Sequence, residues 1–67
     1  MRNQIAVRRK QRQLSQAALA QLTAVTRQTI NAIENDKYDP SLSLAFKLAA
    51  VLGTTVDELF TQGEDTK

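Results

Sequence analysis

The residues in this sequence best suited to specific chemistry are three consecutive polar ones, Arg27, Gln28 and Thr29. An arginine guanidinium can donate two hydrogen bonds to guanine O6 and N7, and a glutamine amide can pair with adenine N6 and N7. A threonine can bond to a phosphate through its hydroxyl or touch a thymine methyl group. These residue types can therefore contact base edges, provided that a rigid element presents them together.

Catalytic and metal-binding chemistry is poorly provided for. The sequence contains no histidine and no cysteine, which removes the commonest general base, the commonest metal ligand and every thiolate. Asp57 and Glu58 are neighbouring carboxylates, but a capping box at the start of a helix at Thr55 accounts for them. Because no acid–base pair, phosphate-binding loop or metal cluster is visible, we expect no enzyme, no cofactor, no metal and no small-molecule ligand.

Charge divides the chain into a basic first half and an acidic second half. Residues 1–33 contain six arginines and lysines and no carboxylate, whereas residues 34–67 contain three lysines and seven carboxylates. This asymmetry favours a nucleic acid docked in one orientation, although a solvated basic helix explains the charge equally well. The three aromatic residues are too few for the base-stacking surface of single-strand binders.

Length and hydropathy limit the possible classes of protein. A chain of 67 residues forms one small domain near the lower limit for a self-sufficient core, so we expect helix packing and a partner subunit to stabilise it. No segment approaches the roughly 18 apolar residues that a membrane span needs, and the first residues lack the apolar core of a signal peptide. We therefore expect a cytoplasmic protein without a membrane partner.

Local signals predict five helices. Hydroxyl side chains, which can accept a hydrogen bond from an orphan backbone N–H group, mark four helix starts: Ser15, Thr26, Ser41 and Thr55. Gly53 ends the fourth helix, because glycine adopts the left-handed conformation common at that position. The predicted helices cover about 3–12, 16–22, 27–34, 42–52 and 56–60. The sequence thus predicts an all-α domain over residues 1–60 and a flexible tail over residues 61–67.

The second and third predicted helices are joined by a tight turn. Leu19 and Leu22 are three residues apart and are therefore neighbours on the helix surface, and the small Ala18 and Ala20 let a second helix approach closely. The apolar positions of the two helices fit packing at a steep angle, which is the layout of a DNA-binding helix-turn-helix. These apolar positions are Leu19, Ala20, Val25, Ile30 and Ile33.

The fourth predicted helix is apolar around most of its circumference. Its polar residues Ser43 and Lys47 share one narrow arc, and a helix of this kind is usually buried. It is therefore predicted to form either the centre of the domain or part of a subunit interface. Phe46 accordingly packs at the domain edge or between subunits.

Taken together, these motifs resemble the phage-repressor (Cro and XRE) helix-turn-helix family, and in particular its compact stand-alone repressors such as the cytolysin-operon repressor type. The resemblance covers about residues 3–60. It is carried by Leu14-Ser15-Gln16, Leu19-Ala20, Val25-Thr26-Arg27-Gln28-Thr29-Ile30, Ile33-Glu34-Asn35, Lys37, Pro40-Ser41-Leu42, Leu48-Ala49, Leu52-Gly53 and Asp57-Glu58-Leu59-Phe60.

This resemblance implies a five-helix, lambda-repressor-like domain that binds double-stranded operator DNA as a homodimer. It places Arg27, Gln28 and Thr29 at the exposed start of the recognition helix, and it implies that Gln16 touches a phosphate and braces that helix. Further candidates, for contacts with the DNA backbone beside the groove, are Asn31, Asn35, Lys37 and Tyr38.

Three other positions carry structural expectations from the resemblance. Arg9 and Glu34 occupy positions that form an internal ion pair in similar repressors. Ala24 stands where the family usually has glycine, and a left-handed alanine there implies strain of about 1 kcal/mol.

We hypothesise a sequence-specific transcriptional regulator, and more specifically a homodimeric repressor that places helix 27–34 in the major groove of a pseudo-palindromic operator. Two alternatives come from other classes. One is the antitoxin of a toxin–antitoxin pair, although residues 61–67 are too few for a long toxin-wrapping segment. The other is a protein-interaction module that uses the fourth helix and the tail.

Overall fold

The computed structural model describes residues 2–61, which form five helices and one very short sheet. The helices are the predicted ones, with ends that differ by up to two residues. In chain order the elements are β1 (Arg2–Asn3), α1 (Ile5–Gln11), α2 (Gln16–Leu22), α3 (Arg27–Glu34), α4 (Leu42–Val51), α5 (Val56–Leu59) and β2 (Phe60–Thr61).

Four helices begin at the predicted hydroxyl caps. The side chains of Ser15, Thr26, Ser41 and Thr55 each accept a hydrogen bond from the backbone N–H group three residues later, at 3.0–3.2 Å. Each bond satisfies a donor that the helix itself leaves unpaired. The capping box at Thr55 takes a modified form, because the Glu58 carboxylate accepts a hydrogen bond from the Thr54 hydroxyl at 3.0 Å.

The first four helices all end in the same backbone motif. The residue after each C-cap is left-handed, with φ of 59° at Gln13, 61° at Ala24, 59° at Asp36 and 68° at Gly53. In every case the next N–H group donates to the carbonyl five residues earlier, as Val25 does to Ala20 at 3.0 Å. This is the Schellman arrangement, which satisfies the last carbonyls of a helix.

The hydrophobic core draws on all five helices. Leu19 of α2 and Ile30 of α3 are fully buried against each other's helices, and Leu48 of α4 lies at the centre with no exposed surface. The cluster comprises Ile5, Leu19, Ala20, Ile30, Ile33, Leu44, Ala45, Leu48, Ala49, Leu52, Leu59 and Phe60. The predicted scaffold of the helix-turn-helix is therefore confirmed, with Val25 packed against it as a partly buried residue.

A two-stranded sheet was not anticipated from the sequence. β1 and β2 pair antiparallel, with Arg2 opposite Thr61 and Asn3 opposite Phe60. The predicted first helix was therefore too long, since Asn3 lies in a strand and the helix begins at Ile5. Thr61, assigned to the predicted tail, pairs through its backbone with Arg2, and residues 62–67 lie outside the described residues.

Two helices keep large apolar side chains exposed to solvent. Leu22 of α2 is 59 % exposed, although it lies only about 60° around the helix from the fully buried Leu19. Helix α4 is not buried all round, since Leu42 and Phe46 are 68 % and 59 % exposed. In residues 2–61, none of the helices combines the length and the apolar character needed to cross a membrane.

Candidate nucleic-acid interface

The turn between α2 and α3 holds the two helices together at their junction. Thr23 is almost fully buried, and its hydroxyl donates to the Leu19 carbonyl at 2.8 Å. Ala24 then takes the left-handed conformation, which lets Val25 fold inward and donate its N–H to the Ala20 carbonyl. The chain is thereby turned within three residues, and Thr26 begins α3 at a fixed angle to α2.

Helix α3 has a clear division between an inner and an outer face. Ile30 and Ile33 are buried, whereas Arg27, Gln28 and Asn31 are exposed. At 100° per residue, the exposed residues fall within one arc of the helix, and the buried ones fall on the opposite side. We call this arc the outer face of α3, and it comprises Arg27, Gln28, Asn31 and Asn35.

Thr29 differs from its two predicted partners. It lies on the inner side of the arc and is only partly exposed. Its hydroxyl is 3.0 Å from the Thr26 hydroxyl, and its backbone N–H donates to the same Thr26 oxygen at 3.1 Å. The structure therefore brings Arg27 and Gln28 together on the outer face and gives Thr29 a part in the cap of the helix.

A largely buried carboxylate fixes the other end of α3. Glu34 forms an ion pair with Arg9 of α1, with 2.7 Å between Arg9 Nε and Glu34 Oε2, and the two side chains are 11 % and 7 % exposed. Arg9 also donates to the Leu14 carbonyl at 2.9 Å. The expected internal ion pair is confirmed, and its near burial makes removal of a single partner costly, because the other charge is left unpaired.

Gln16 joins the same network from the start of α2. Its Nε2 donates to Glu34 Oε1 at 3.0 Å, and the residue is partly exposed. One carboxylate therefore holds α1, α2 and α3 together. The predicted bracing of α3 by Gln16 has a direct structural basis in this hydrogen bond.

The remaining candidates lie at and beyond the end of α3. Asn35 Nδ2 donates to the Asn31 carbonyl at 2.9 Å and lies 3.3 Å from Asn31 Oδ1, so the two amides support each other on the outer face. Lys37 and Tyr38 follow the helix in an exposed loop. These four residues extend the polar surface from Arg27 along α3 to the loop.

Sequence reasoning missed Asn3 as a support of α3. Its Nδ2 donates to the Ile33 carbonyl at 2.8 Å, while its Oδ1 accepts from the Ile5 N–H at 3.1 Å. One amide therefore links β1, the start of α1 and the last turn of α3. The contact spans 30 residues, so no local pattern could have revealed it.

The electrostatics of this surface favour an anion. The first turns of α2 and α3 contain no acidic residue, so their unpaired N–H groups and positive dipole ends are not neutralised. Arg12, one of the cations of the basic first half, donates from Nε to the Leu52 carbonyl at 3.1 Å and is therefore held within the domain. Within residues 2–61 no group of three or more carboxylate, histidine or cysteine residues could hold a metal ion.

Comparison with known proteins identifies relatives over nearly the whole chain. A family model described as helix-turn-helix matches residues 5–59. An uncharacterized helix-turn-helix-type transcriptional regulator of Methanocaldococcus jannaschii is 45 % identical over 65 residues, which cover 97 % of this chain and 98 % of that protein.

Two further proteins place the same domain in other settings. The immunity repressor of Bacillus phage phi105 is 40 % identical over 58 residues, covering 87 % of this chain and 39 % of the repressor. The restriction-modification controller protein of Aeromonas hydrophila has 32 % identity and a TM-score of 0.78, covering 85 % of this chain and 86 % of the controller protein. The chain belongs to the Cro and XRE family of helix-turn-helix domains.

Proposed function

We propose that this protein is a sequence-specific transcriptional regulator that binds double-stranded DNA through the outer face of α3, and that it acts as a homodimeric repressor. The observation that carries the proposal is the exposure of Arg27 and Gln28 at the start of a helix whose opposite side is locked into the core. A rigid helix with free guanidinium and amide groups at its start is suited to base readout in the major groove.

In this mechanism the first turn of α3 enters the groove. Arg27 donates to a guanine edge, and Gln28 pairs with an adenine edge one step away. Thr29 touches a phosphate or a thymine methyl group at the margin, within the limits set by its bond to Thr26. Gln16 uses its remaining donor for a phosphate while its bond to Glu34 keeps α2 and α3 in register.

The residues at the end of α3 hold the protein on the DNA backbone. Asn31 and Asn35 face the sugar–phosphate strand beside the groove, and Lys37 and Tyr38 contact the strand from the following loop. Contacts of this kind fix orientation and register but do not distinguish sequences. Lys37 also contributes the counterion release that makes affinity depend on salt.

Two copies of the chain give the operator its symmetry. A homodimer presents two α3 helices about 34 Å apart, one turn of B-DNA, and therefore selects a pseudo-palindromic site. The relatives named as a transcriptional regulator and as an immunity repressor support a role in transcriptional repression. The activity needs neither catalysis nor a cofactor, and we place it in the cytoplasm, where operator DNA is accessible.

Selection of bound sites from random double-stranded DNA tests the proposal. We expect a pseudo-palindrome, with half-sites whose centres are about one helical turn apart. Arg27→Ala and Gln28→Ala should each cost about 1–3 kcal/mol in operator binding and relax the preference at one base pair per half-site. Gln21→Ala, an exposed glutamine on α2 away from the outer face of α3, is the matched control and should change neither quantity.

Two lysine substitutions distinguish contact with the DNA backbone from readout of the bases. Lys37→Ala should weaken binding to all sequences similarly and reduce the salt slope by about 1, whereas Lys47→Ala on α4 should leave the slope unchanged. If Arg27→Ala and Gln28→Ala both kept wild-type affinity and base preference, the assignment of α3 to the groove would be wrong. Absence of any salt-dependent DNA binding would refute the proposal as a whole.

A further inference from the structure

The side-chain amide of Asn3 connects two helices, although Asn3 itself lies in β1. Its Nδ2 donates to the Ile33 carbonyl at 2.8 Å, and its Oδ1 accepts from the Ile5 N–H group at 3.1 Å. Both ends of this partly buried amide are therefore used, and only one orientation of the amide plane satisfies both bonds. The donor is the end that reaches α3.

The acceptor of this bond lies in the last turn of α3. The Ile33 carbonyl accepts from the Asp36 N–H group at 3.1 Å, and Asn3 supplies a second donor to the same oxygen. Asn3 Nδ2 also lies 3.5 Å from Asp36 Oδ1. Asn3 therefore contacts both the end of the helix and the residue at which the chain turns away from it.

The loop with Lys37 and Tyr38 starts at this point. Asp36 is left-handed, with φ of 59°, and the Lys37 N–H group donates to the Ala32 carbonyl at 2.9 Å. The side chains of Lys37 and Tyr38 are exposed, so the backbone at Asp36 largely determines where they lie. A contact that holds the end of α3 therefore also holds the start of this loop.

The short sheet gives Asn3 a fixed position. Asn3 lies opposite Phe60, and the N–H group of the neighbouring Gln4 donates to the Leu59 carbonyl at 2.8 Å. Leu59 and Phe60 both belong to the hydrophobic core. Because the backbone of Asn3 is already ordered by these bonds, its amide can hold the end of α3 without a further large cost in conformational entropy.

We infer that Asn3 is a positioning residue for DNA binding, which acts through the Ile33 carbonyl and places Lys37 and Tyr38 against the DNA backbone. The inference rests on the proposed function and adds to it a residue that acts through the end of α3. Contacts with the DNA backbone set affinity and orientation but do not distinguish sequences. Loss of the Asn3 donor should therefore weaken binding to all sequences alike.

The base-reading end of α3 should be unaffected. Arg27 lies about 9 Å along the helix from Ile33, at a rise of 1.5 Å per residue. Ile30, between them, is fully buried and holds that part of the helix in the core. The base preference that Arg27 gives should therefore survive the loss of Asn3.

Fluorescence anisotropy on the selected operator and on an unrelated duplex, each at several salt concentrations, tests the inference in the full chain. Asn3→Ala should weaken binding to both duplexes by about three- to tenfold, as expected for one hydrogen bond, and should reduce the salt slope. Val51→Ala, at a partly buried core residue of α4, is the control for a general loss of stability. Urea unfolding establishes conditions in which both variants are folded, and there Val51→Ala should change affinity less than about twofold.

A double-mutant cycle shows whether Asn3 acts through the loop. In a Lys37→Ala background the loss caused by Asn3→Ala should shrink to about twofold or less, because a contact that Asn3 positions is already absent. In an Arg27→Ala background the full loss should remain, because Arg27 lies at the other end of α3.

Asn3→Asp separates the donor from the bond to α1. The aspartate keeps an acceptor for the Ile5 N–H group, but it places a carboxylate oxygen against the Ile33 carbonyl, where Nδ2 donates in the wild type. Asn3→Asp should therefore weaken binding at least as strongly as Asn3→Ala. Gln4→Glu adds the same charge at the neighbouring exposed residue and should have a smaller effect.

The outcomes distinguish the inference from the proposed function. A wild type without salt-dependent DNA binding would overturn both. If the wild type binds but the Asn3 variants lose no more affinity than Val51→Ala and Gln4→Glu, Asn3 has only a structural role and the proposed function stands. An undiminished loss in the Lys37→Ala background, or a changed base preference for Asn3→Ala, would overturn the inference in the same way. A uniform loss that shrinks when Lys37 is absent supports both.

Discussion

The turns that follow α2 and α4 have the same backbone but different residues. Ala24 has φ of 61° and Gly53 has φ of 68°, and each is followed by an N–H group that donates to the carbonyl five residues earlier. Glycine adopts this conformation without cost, whereas an alanine Cβ approaches the following carbonyl oxygen and costs about 1–2 kcal/mol. The turn inside the helix-turn-helix is therefore the strained one.

The same turn geometry therefore forms on alanine as well as on glycine, because hydrogen bonds and packing around each helix end hold it. The turn at Ala24 is held by buried Thr23 before it and by partly buried Val25 after it. The turn at Gly53 is instead covered by an arginine, because a Cβ on residue 53 would overlap the Arg12 guanidinium. Position 53 favours glycine both because its φ is positive and because a Cβ there would overlap Arg12. Position 24 has the positive φ alone, and alanine occupies it.

The largest expected effect is that of Gly53→Ala, which should lower the free energy of unfolding by about 1–2 kcal/mol. The added methyl group is strained at positive φ and displaces Arg12, whose Nε bond to the Leu52 carbonyl is then lost. Urea unfolding followed by circular dichroism measures the change. In an Arg12→Ala background the same substitution should cost less, and equal costs in both backgrounds would show that Arg12 does not constrain position 53.

A smaller effect of opposite sign is expected for Ala24→Gly. Relief of the left-handed strain exceeds the entropy that glycine adds to the unfolded chain, so unfolding should become harder by about 0.5–1 kcal/mol. Ala17→Gly, at an exposed position inside α2, is the matched control and should destabilise by about 0.5–1 kcal/mol. Destabilisation by both substitutions would mean that the turn at Ala24 carries no strain to relieve.

Asp36→Gly should have the smallest effect, within about 0.5 kcal/mol of zero. Aspartate tolerates the left-handed conformation better than alanine does, so less strain is relieved. The substitution also removes the weak contact of 3.5 Å between the carboxylate and Asn3 Nδ2. Thermal unfolding of Gly53→Ala, Ala24→Gly and Asp36→Gly in one buffer ranks their effects on stability. A larger stabilisation by Asp36→Gly than by Ala24→Gly would show that Ala24 is not the more strained of the two positions.

The starts of the helices could be predicted from sequence because their signals are local. Ser15 and Thr26 cap the two helices of the motif as expected, and the burial of Ile30 and Ile33 followed from their spacing. The exposure of Arg27 and Gln28 was likewise expected from the same helix assignment together with the family resemblance. Their contacts with DNA remain predictions, since these depend on a partner and not on the chain alone.

Features that depend on distant parts of the chain could not be predicted in this way. The β1–β2 pairing joins residues nearly 60 positions apart, and two-residue strands have no periodicity to detect. The exposure of Leu22 and Phe46 depends on which parts of each helix the other helices cover, and the apolar pattern of a single helix does not contain that information. The family resemblance groups Thr29 with Arg27 and Gln28 at the start of α3, whereas 200° of helix rotation separates Thr29 from Arg27.

The β1–β2 pairing has a mechanical consequence. Arg2 lies opposite Thr61, so a force that pulls these two residues apart separates the strands one residue pair at a time, beginning with Arg2 and Thr61. The second pair to open contains Asn3, whose amide holds the Ile33 carbonyl at the end of α3. Tension between the two ends therefore reaches the support of α3 after only two residue pairs have separated, before any helix of the core has to unfold.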